Sequence, residues 1–120
     1  MPRFVVLRHE SPRGLHWDLL LEAGPVLRAW ALPEVPELER QLTCEALPDH
    51  RPAYLEYEGP ISGGRGSVTR WDEGAYEVQQ DCGTVLTAVI RGRKLNGTMA
   101  LRQLSEEGKW EFQISRLADR

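Results

Sequence analysis

The sequence predicts an all-β fold, a small closed or nearly closed β-barrel with one or two short helices, formed by a single domain over residues 1–120. Short segments that are apolar, or that alternate between apolar and polar residues, recur along the chain and are separated by glycine-rich turns. The alternation is clearest in residues 109–117, where Trp110, Phe112 and Ile114 alternate with polar residues. A barrel is preferred to a sandwich because a closed sheet leaves no unpaired edge strand.

Each expected strand follows from a local pattern of apolar and turn residues. Residues 4–7 are a short apolar run, which is typical of a strand buried on both faces. Two turn-like segments, residues 23–25 and 72–74, predict hairpins because strand patterns lie on both sides of each. A short helix is expected within residues 34–47, since proline is tolerated in a first helical turn. The expected strands are residues 4–7, 17–22, 26–32, 67–71, 75–78, 85–90, 98–104 and 109–117.

The composition is that of an ordinary globular protein without a strongly charged surface. Hydrophobic residues make up 41% and charged residues 28% of the chain, and the net charge is -3. A polyanion would therefore have to be bound by a local group of arginines. Cys44 and Cys82 lack the spacing of a metal or redox motif and are expected to be reduced thiols. No apolar stretch is long enough for a membrane span or a secretion signal, so a cytoplasmic location without a membrane partner is expected.

Two of the three histidines lie close together in the sequence, next to a carboxylate. His16 and Asp18 are two residues apart, so their side chains leave the same face of a strand, opposite the apolar face that carries Trp17. Two imidazoles and one carboxylate suit a divalent transition metal. A single histidine is more often an ordinary surface residue, but this grouping predicts a metal or catalytic site at His9, His16 and Asp18.

The same residues also fit a different metal site. His16, Asp18 and the third histidine, His50, match the two-histidine, one-carboxylate triad of non-heme Fe(II) oxygenases. That triad leaves His9 without a role, so it is the less favoured arrangement.

Two further segments predict contacts with an anion. His50 lies between two prolines beside Arg51, and a rigidly held imidazole next to a guanidinium suits a phosphate oxygen or the protonation of a leaving group. A hydrogen bond between His50 and Asp49 is the structural alternative. Residues 58–67 are rich in glycine and fit a backbone anion site with Arg65 as its charge, or a wide turn. They do not match the phosphate-binding loop of nucleotide hydrolases.

Several motifs occur in a fixed order along the chain. The sequence reads Phe-Val-Val-Leu-Arg-His at 4–9 and Leu-His-Trp-Asp-Leu at 15–19, followed by Glu22. Later motifs are Arg-Ala-Trp-Ala-Leu-Pro at 28–33, Asp-His at 49–50 with Tyr54, Glu-Gly at 58–59, Gly-Ser-Val at 66–68, Trp-Asp-Glu-Gly at 71–74, Lys-Leu-Asn-Gly at 94–97 and the strand 110–115. Together, over nearly the whole chain, they resemble the 3′-phosphoesterase domain of bacterial DNA ligase D.

The resemblance implies a compact β-barrel and a manganese-dependent enzyme that acts on the 3′ ends of DNA or RNA-tipped DNA. Members of the family trim a terminal ribonucleotide and remove the resulting 3′-phosphate. By the same resemblance, His9, His16 and Asp18 hold the metal. His50 contacts the scissile phosphate, and Tyr54 lies near it. Manganese is the expected ion, with zinc or another transition metal as the alternative, and separate ligase or polymerase proteins are the expected repair partners.

Three departures from the family pattern affect the expected site. Six residues separate His9 from His16, one more than is usual in the family, so the loop between them is expected to bulge. Leu20 and Glu34 occupy positions where the family has an arginine and a lysine. The loss of these cations motivates a second functional hypothesis, a non-catalytic module that binds nucleic-acid ends, although an enzyme is favoured. The arginines expected to replace the lost phosphate contacts are Arg13, Arg51 and Arg65.

Overall fold

Nine strands and one 3₁₀ turn make up the fold of residues 1–117, which are the residues that the computed structural model describes. The strands are β1 (Arg3–Ser11), β2 (Gly14–Ala23), β3 (Val26–Leu32), β4 (Gln41–His50), β5 (Gly59–Pro60), β6 (Ser67–Asp81), β7 (Val85–Gly92), β8 (Asn96–Gln103) and β9 (Lys109–Ser115). The 3₁₀ turn, Pro52–Leu55, lies between β4 and β5. The prediction of an all-β chain is confirmed. Within the described residues, no helix has the length and apolar character needed to cross a membrane.

The strands form one antiparallel sheet that closes on itself. Neighbouring strands follow the order β1, β2, β3, β4, β9, β8, β7, β6, and β6 pairs with β1 to complete a ring of eight strands. The short strand β5 pairs with the start of β6. Closure pairs the backbone groups that would otherwise lie unpaired on two edge strands. A closed sheet was predicted for this reason.

Alternation along the ring strands separates two apolar clusters. The inner cluster takes buried side chains from all eight ring strands, among them Phe4 and Leu19, and therefore fills the inside of the ring. The outer cluster lies on the opposite face of β1, β2 and β3, where it includes Val5 and Leu20 and is covered by Leu55 of the 3₁₀ turn. Polar residues that share the outer face of β1 and β2 are therefore held beside a packed apolar surface.

The helix predicted within residues 34–47 is wrong. Residues 41–47 belong to β4, which pairs with β3 and β9. Leu42 and Cys44 are buried while their immediate neighbours are exposed, so this segment has the period of two of a half-buried strand. The one short helical element in the described residues comes later, in the 3₁₀ turn that begins at Pro52.

The hairpin predicted at residues 72–74 is also wrong. β6 continues through these residues and pairs with β1 along its first half and with β7 along its second half. The register shifts where Trp71 is inserted opposite the step from Val6 to Leu7, which is a β-bulge. The turn-like Asp-Glu-Gly sequence therefore marks the place where the strand changes partner, not the place where the chain reverses.

The carboxylate of Asp72 fixes this join. It is buried and accepts backbone hydrogen bonds of 2.8–3.0 Å from Glu73, Arg93, Lys94 and Leu95. The last three residues connect β7 to β8, so the carboxylate holds that turn against β6. These bonds give the Trp-Asp and Lys-Leu motifs a structural explanation.

Candidate metal centre

The three side chains predicted to bind a metal meet on the outer face of β1 and β2. His9 lies directly opposite His16 in the antiparallel pairing, and their ring centroids are 4.5 Å apart. Asp18 follows on the same face, while Trp17 packs against the inner cluster, as the alternation predicted. One potential ligand atom from each of the three side chains lies within 4.8 Å of the others. His50 is outside this group, so the geometry favours the set with His9 over the oxygenase-type triad.

The carboxylate of Asp18 is the centre of the group. Asp18 is 3% exposed, its Oδ2 lies 2.9 Å from Nδ1 of His9, and its Oδ1 lies 2.9 Å from Nε2 of His16. The approach of His16 is not aligned for a hydrogen bond, and Oδ1 has no hydrogen-bond partner within the described residues. A buried carboxylate oxygen without a partner is energetically costly. A cation held by the three side chains would satisfy it.

The orientation of His9 also suits a metal ligand. Its Nε2 donates a hydrogen bond of 2.8 Å to the backbone carbonyl of Arg65, which is the kind of outer contact that fixes the ring of a metal-bound histidine. Its Nδ1 faces Asp18. With a proton on Nδ1 that contact is a hydrogen bond, and without one the two atoms offer lone pairs to a shared cation. Two ligand atoms at right angles around one ion, each about 2.1 Å from it, are about 3 Å apart, so the observed separation fits.

The environment of His16 shifts the pKa of its imidazole. Its close polar contact with the Asp18 carboxylate raises the pKa of His16 above its ordinary value of 6.5, burial lowers it, and the negative charge of Asp18 raises it further. The net direction is upward, because a protonated imidazole partly neutralises the buried carboxylate. A metal ion requires the neutral imidazole, so a proton and a metal compete for His16.

The position of the Arg65 carbonyl depends on its neighbour Gly66. Gly66 has a φ of +89°, and a Cβ added there would lie 1.8 Å from the carbonyl oxygen of Glu10 in β1. A glycine is therefore required where the loop passes against β1. The side chain of Arg65, which the sequence suggested as an anion contact, turns back so that its Nε donates to the carbonyl of Ser62 at 2.8 Å. A glycine-rich loop next to the site was the only signal in the sequence for this backbone contact.

A cavity of about 290 Å³ has walls that include His50, Arg51, Tyr54 and Arg65. Arg65 links it to the metal-site residues, because its carbonyl accepts the hydrogen bond from His9. The alternative considered for His50, a hydrogen bond to Asp49, is not formed: Nδ1 of His50 donates to the carbonyl of Pro48 at 2.8 Å, which leaves its Nε2 without a proton when the ring is neutral. The rings of His50 and Tyr54 meet edge to face, with centroids 5.6 Å apart.

The bulge expected between His9 and His16 is absent. β1 and β2 pair without a register shift from Phe4 to Ser11, and a two-residue turn connects them. This tight hairpin accommodates the additional residue without a bulge. Arg13 lies at its exposed tip and lines none of the described cavities, so it is poorly placed to replace a phosphate contact near the metal-site residues.

The two positions that lack the family's cations have other roles here. Leu20 is fully buried in the outer cluster, in the same group as Leu55 and Tyr54. It therefore supports the turn that carries Tyr54. Glu34 is exposed and accepts a hydrogen bond from Arg40 at 2.9 Å. The cations nearest the predicted phosphate site are those of the His50 cavity.

Comparison with known proteins identifies the family to which the chain belongs. Residues 7–115 match the family model described as the DNA Ligase D 3'-phosphoesterase domain. The chain is 32% identical, over 89% of its length, to the multifunctional non-homologous end joining protein LigD of Pseudomonas aeruginosa. It is 32% identical, over 84% of its length, to the protein of the same description from Mycolicibacterium smegmatis. The chain belongs to the family of DNA ligase D 3′-phosphoesterase domains, and it spans 14% and 15% of the length of these two relatives.

Proposed function

We propose that the chain is a metal-dependent phosphoesterase that removes 3′-terminal ribonucleotides and 3′-phosphates from nucleic acid during DNA end repair. The observation that carries the proposal is the buried carboxylate of Asp18, which contacts both imidazoles and keeps one oxygen without a hydrogen-bond partner in the described residues, in a chain of this family. Membership of the family supports hydrolysis at nucleic-acid ends. The cavity with two arginines beside the candidate metal centre supports a phosphate as the group that is bound there.

His9, His16 and Asp18 would hold manganese or another divalent transition metal. Such an ion, when bound, stabilises the negative charge that develops on the phosphoryl oxygens. The carbonyl of Arg65 keeps the ring of His9 in one orientation. Because Nδ1 of His50 is committed to the carbonyl of Pro48, Nε2 is the atom with which His50 meets the substrate.

The reaction takes place in two hydrolytic steps. In the first, a water oxygen bonds to phosphorus, the bond from phosphorus to O5′ of the terminal nucleoside breaks, and O5′ takes up a proton, which leaves a 3′-phosphate. In the second, another water displaces O3′ in the same way and releases inorganic phosphate and a 3′-hydroxyl end. We assign to His50, when protonated at Nε2, the contact with the phosphate, where it stabilises the negative charge that develops on the phosphoryl oxygens, while the leaving oxygen takes its proton from water.

An assay with end-labelled primers tests the proposal. One primer ends in a 3′-phosphate and the other in a single ribonucleotide, and both are incubated with the purified protein and manganese. We expect a shortened or dephosphorylated product with the wild type and a loss of at least about a hundred-fold in rate with His16→Ala. The Glu77→Gln variant, altered at an exposed residue of β6, serves as the control. If the wild type with manganese leaves both primers intact, the proposed activity is refuted.

A second candidate function is binding to nucleic-acid ends without turnover. The burial of Leu20 and the pairing of Glu34 with Arg40 favour it, because neither position supplies a cation to a substrate phosphate. In that case, primer binding would weaken with rising salt while no product is formed. Any manganese-dependent turnover that is lost in His9→Ala excludes this alternative.

A further inference from the structure

A second cavity of about 270 Å³ is lined in part by His16. Its walls include Ala31, Thr43, Glu45 and Lys109. No strand was predicted at residues 41–45, so the sequence gave no indication of this cavity. Its volume is just below the usual range for small-molecule sites, about 300–1,000 Å³, which suits one compact ligand.

The strand register explains how the cavity is formed. Ala31 of β3 pairs with Asp18 on one side and with Glu45 of β4 on the other, and Glu45 pairs with Lys109 of β9. Paired residues point to the same face of a sheet, so a row of side chains leads away from the candidate metal centre over the outer face. The methyl group of Ala31 is too short to fill the space between Asp18 and Glu45, and the row is therefore hollow at this position.

The two cavities that flank the metal-site residues differ in charge. The His50 cavity is lined by two arginines and one aspartate. The cavity beside His16 has one acidic and one basic side chain, Glu45 and Lys109, and neither forms an ion pair within residues 1–117. The rest of its wall is mostly apolar. A carboxylate repels a phosphodiester backbone, but it is a strong acceptor for hydroxyl groups.

We propose that the cavity beside His16 binds the uncharged terminal nucleoside that leaves in the first hydrolytic step, with Glu45 accepting hydrogen bonds from the ribose hydroxyls. The inference rests on the proposed function and adds to it the orientation of the substrate in the site. The polyanionic primer lies on the side of Arg51 and Arg65, and the leaving nucleoside lies over Ala31. A substrate that ends in a 3′-phosphate has no nucleoside on that side and leaves the cavity unused.

A comparison of two primers tests the assignment. For each variant, kcat/KM is measured with a primer that ends in one ribonucleotide and with the same primer ending in a 3′-phosphate. We expect the ratio of the two values, ribonucleotide to phosphate, to fall about ten-fold in Glu45→Gln, because the charged acceptor of the hydroxyl hydrogen bonds is replaced by a weaker, neutral amide oxygen. Ala31→Leu, which fills the cavity, should lower the same ratio. Glu77→Gln should keep the ratio of the wild type.

A binding measurement that needs no turnover accompanies the assay. Adenosine is titrated into the metal-free protein, and backbone amide resonances are followed. We expect saturable shifts at Ala31 and Thr43 that weaken in Glu45→Gln, which alters an exposed residue and should fold normally.

Three results would overturn the assignment. An active enzyme whose ratio is unchanged in Glu45→Gln refutes the nucleoside site alone, and so do adenosine shifts that are absent or that lie away from this cavity. A wild type that cleaves neither primer refutes the proposed function, and the assignment with it.

Discussion

At the scale of single residues, the buried carboxylate of Asp18 determines the chemistry of the site. Its two oxygens contact His9 and His16, but only the oxygen that faces His9 has a hydrogen-bond partner in the described residues. Period-two alternation was enough to place His16 and Asp18 on one face. The contact of the Arg65 carbonyl with His9 could not be predicted, because the glycine-rich loop indicates a turn but not which distant residue its backbone meets.

The raised pKa of His16 leads to a prediction for metal binding. In the metal-free protein, protonated His16 stabilises the fold below pH 6.5, and this contribution is lost as the pH rises through the raised pKa. Because the metal needs the neutral ring, we expect manganese affinity to increase as the pH is raised from about 6 to about 8. Titrations at several pH values measure it. His50→Ala should show the same trend, and an affinity that does not change with pH would contradict the assigned role of His16.

The two cysteines should differ in reactivity. Burial, and then the charge of Glu111, raises the pKa of the Cys44 thiol to about 12, while hydrogen bonding to Thr84 lowers the pKa of the exposed Cys82. Both are free thiols, as predicted. Because the thiolate is the reactive form, we expect iodoacetamide to modify Cys82 first under native conditions, as measured by peptide mass analysis. Equal modification of Cys44 in the folded protein would show that it is not buried.

At the scale of elements, the glycine-rich loop between β5 and β6 supports the candidate metal centre through one backbone contact. We expect Gly66→Ala to cost about 1–3 kcal/mol of stability and to weaken manganese binding, because the new Cβ would collide with the Glu10 carbonyl and displace Arg65. Urea unfolding and a metal titration measure the two effects. Gly64→Ala is a matched control, since Gly64 also has a positive φ, +69°, but an added Cβ meets no atom within 4 Å. Equal metal affinities in the two variants would contradict the role of the loop.

Asp72 is expected to be important for stability and not for the site. Asp72→Ala removes the acceptor of four backbone hydrogen bonds, so a loss of at least about 3 kcal/mol is expected in chemical unfolding. Asp81→Ala, which removes an exposed ion pair with Arg28, should cost less than about 1 kcal/mol. At temperatures where the Asp72 variant is still folded, it should bind manganese like the wild type. A selective loss of metal binding would instead place Asp72 in the functional site.

At the scale of the whole molecule, closure of the ring brings distant segments to one outer face. The all-β class could be predicted because Phe112 and Ile114 alternate so regularly with polar residues. Two elements were predicted wrongly, and each error has a physical reason. A proline tolerated in a first helical turn favoured a short helix around residues 36–40, but these residues form no helix, and the chain enters β4 at Gln41, where pairing with β3 and β9 stabilises a strand. The sequence Asp-Glu-Gly at 72–74 has the composition of a turn, although the carboxylate of Asp72 bonds to another loop.

The most direct measurement of the central claim is the manganese stoichiometry of the purified protein, determined by electron paramagnetic resonance. The wild type is predicted to bind one ion per chain. Asp18→Asn, which keeps the size of the side chain but removes its charge, is predicted to bind none at the same concentration, while Asp81→Asn binds as the wild type does. Equal binding by the wild type and Asp18→Asn, or no binding of manganese by the wild type, would contradict the assignment of a manganese centre to His9, His16 and Asp18.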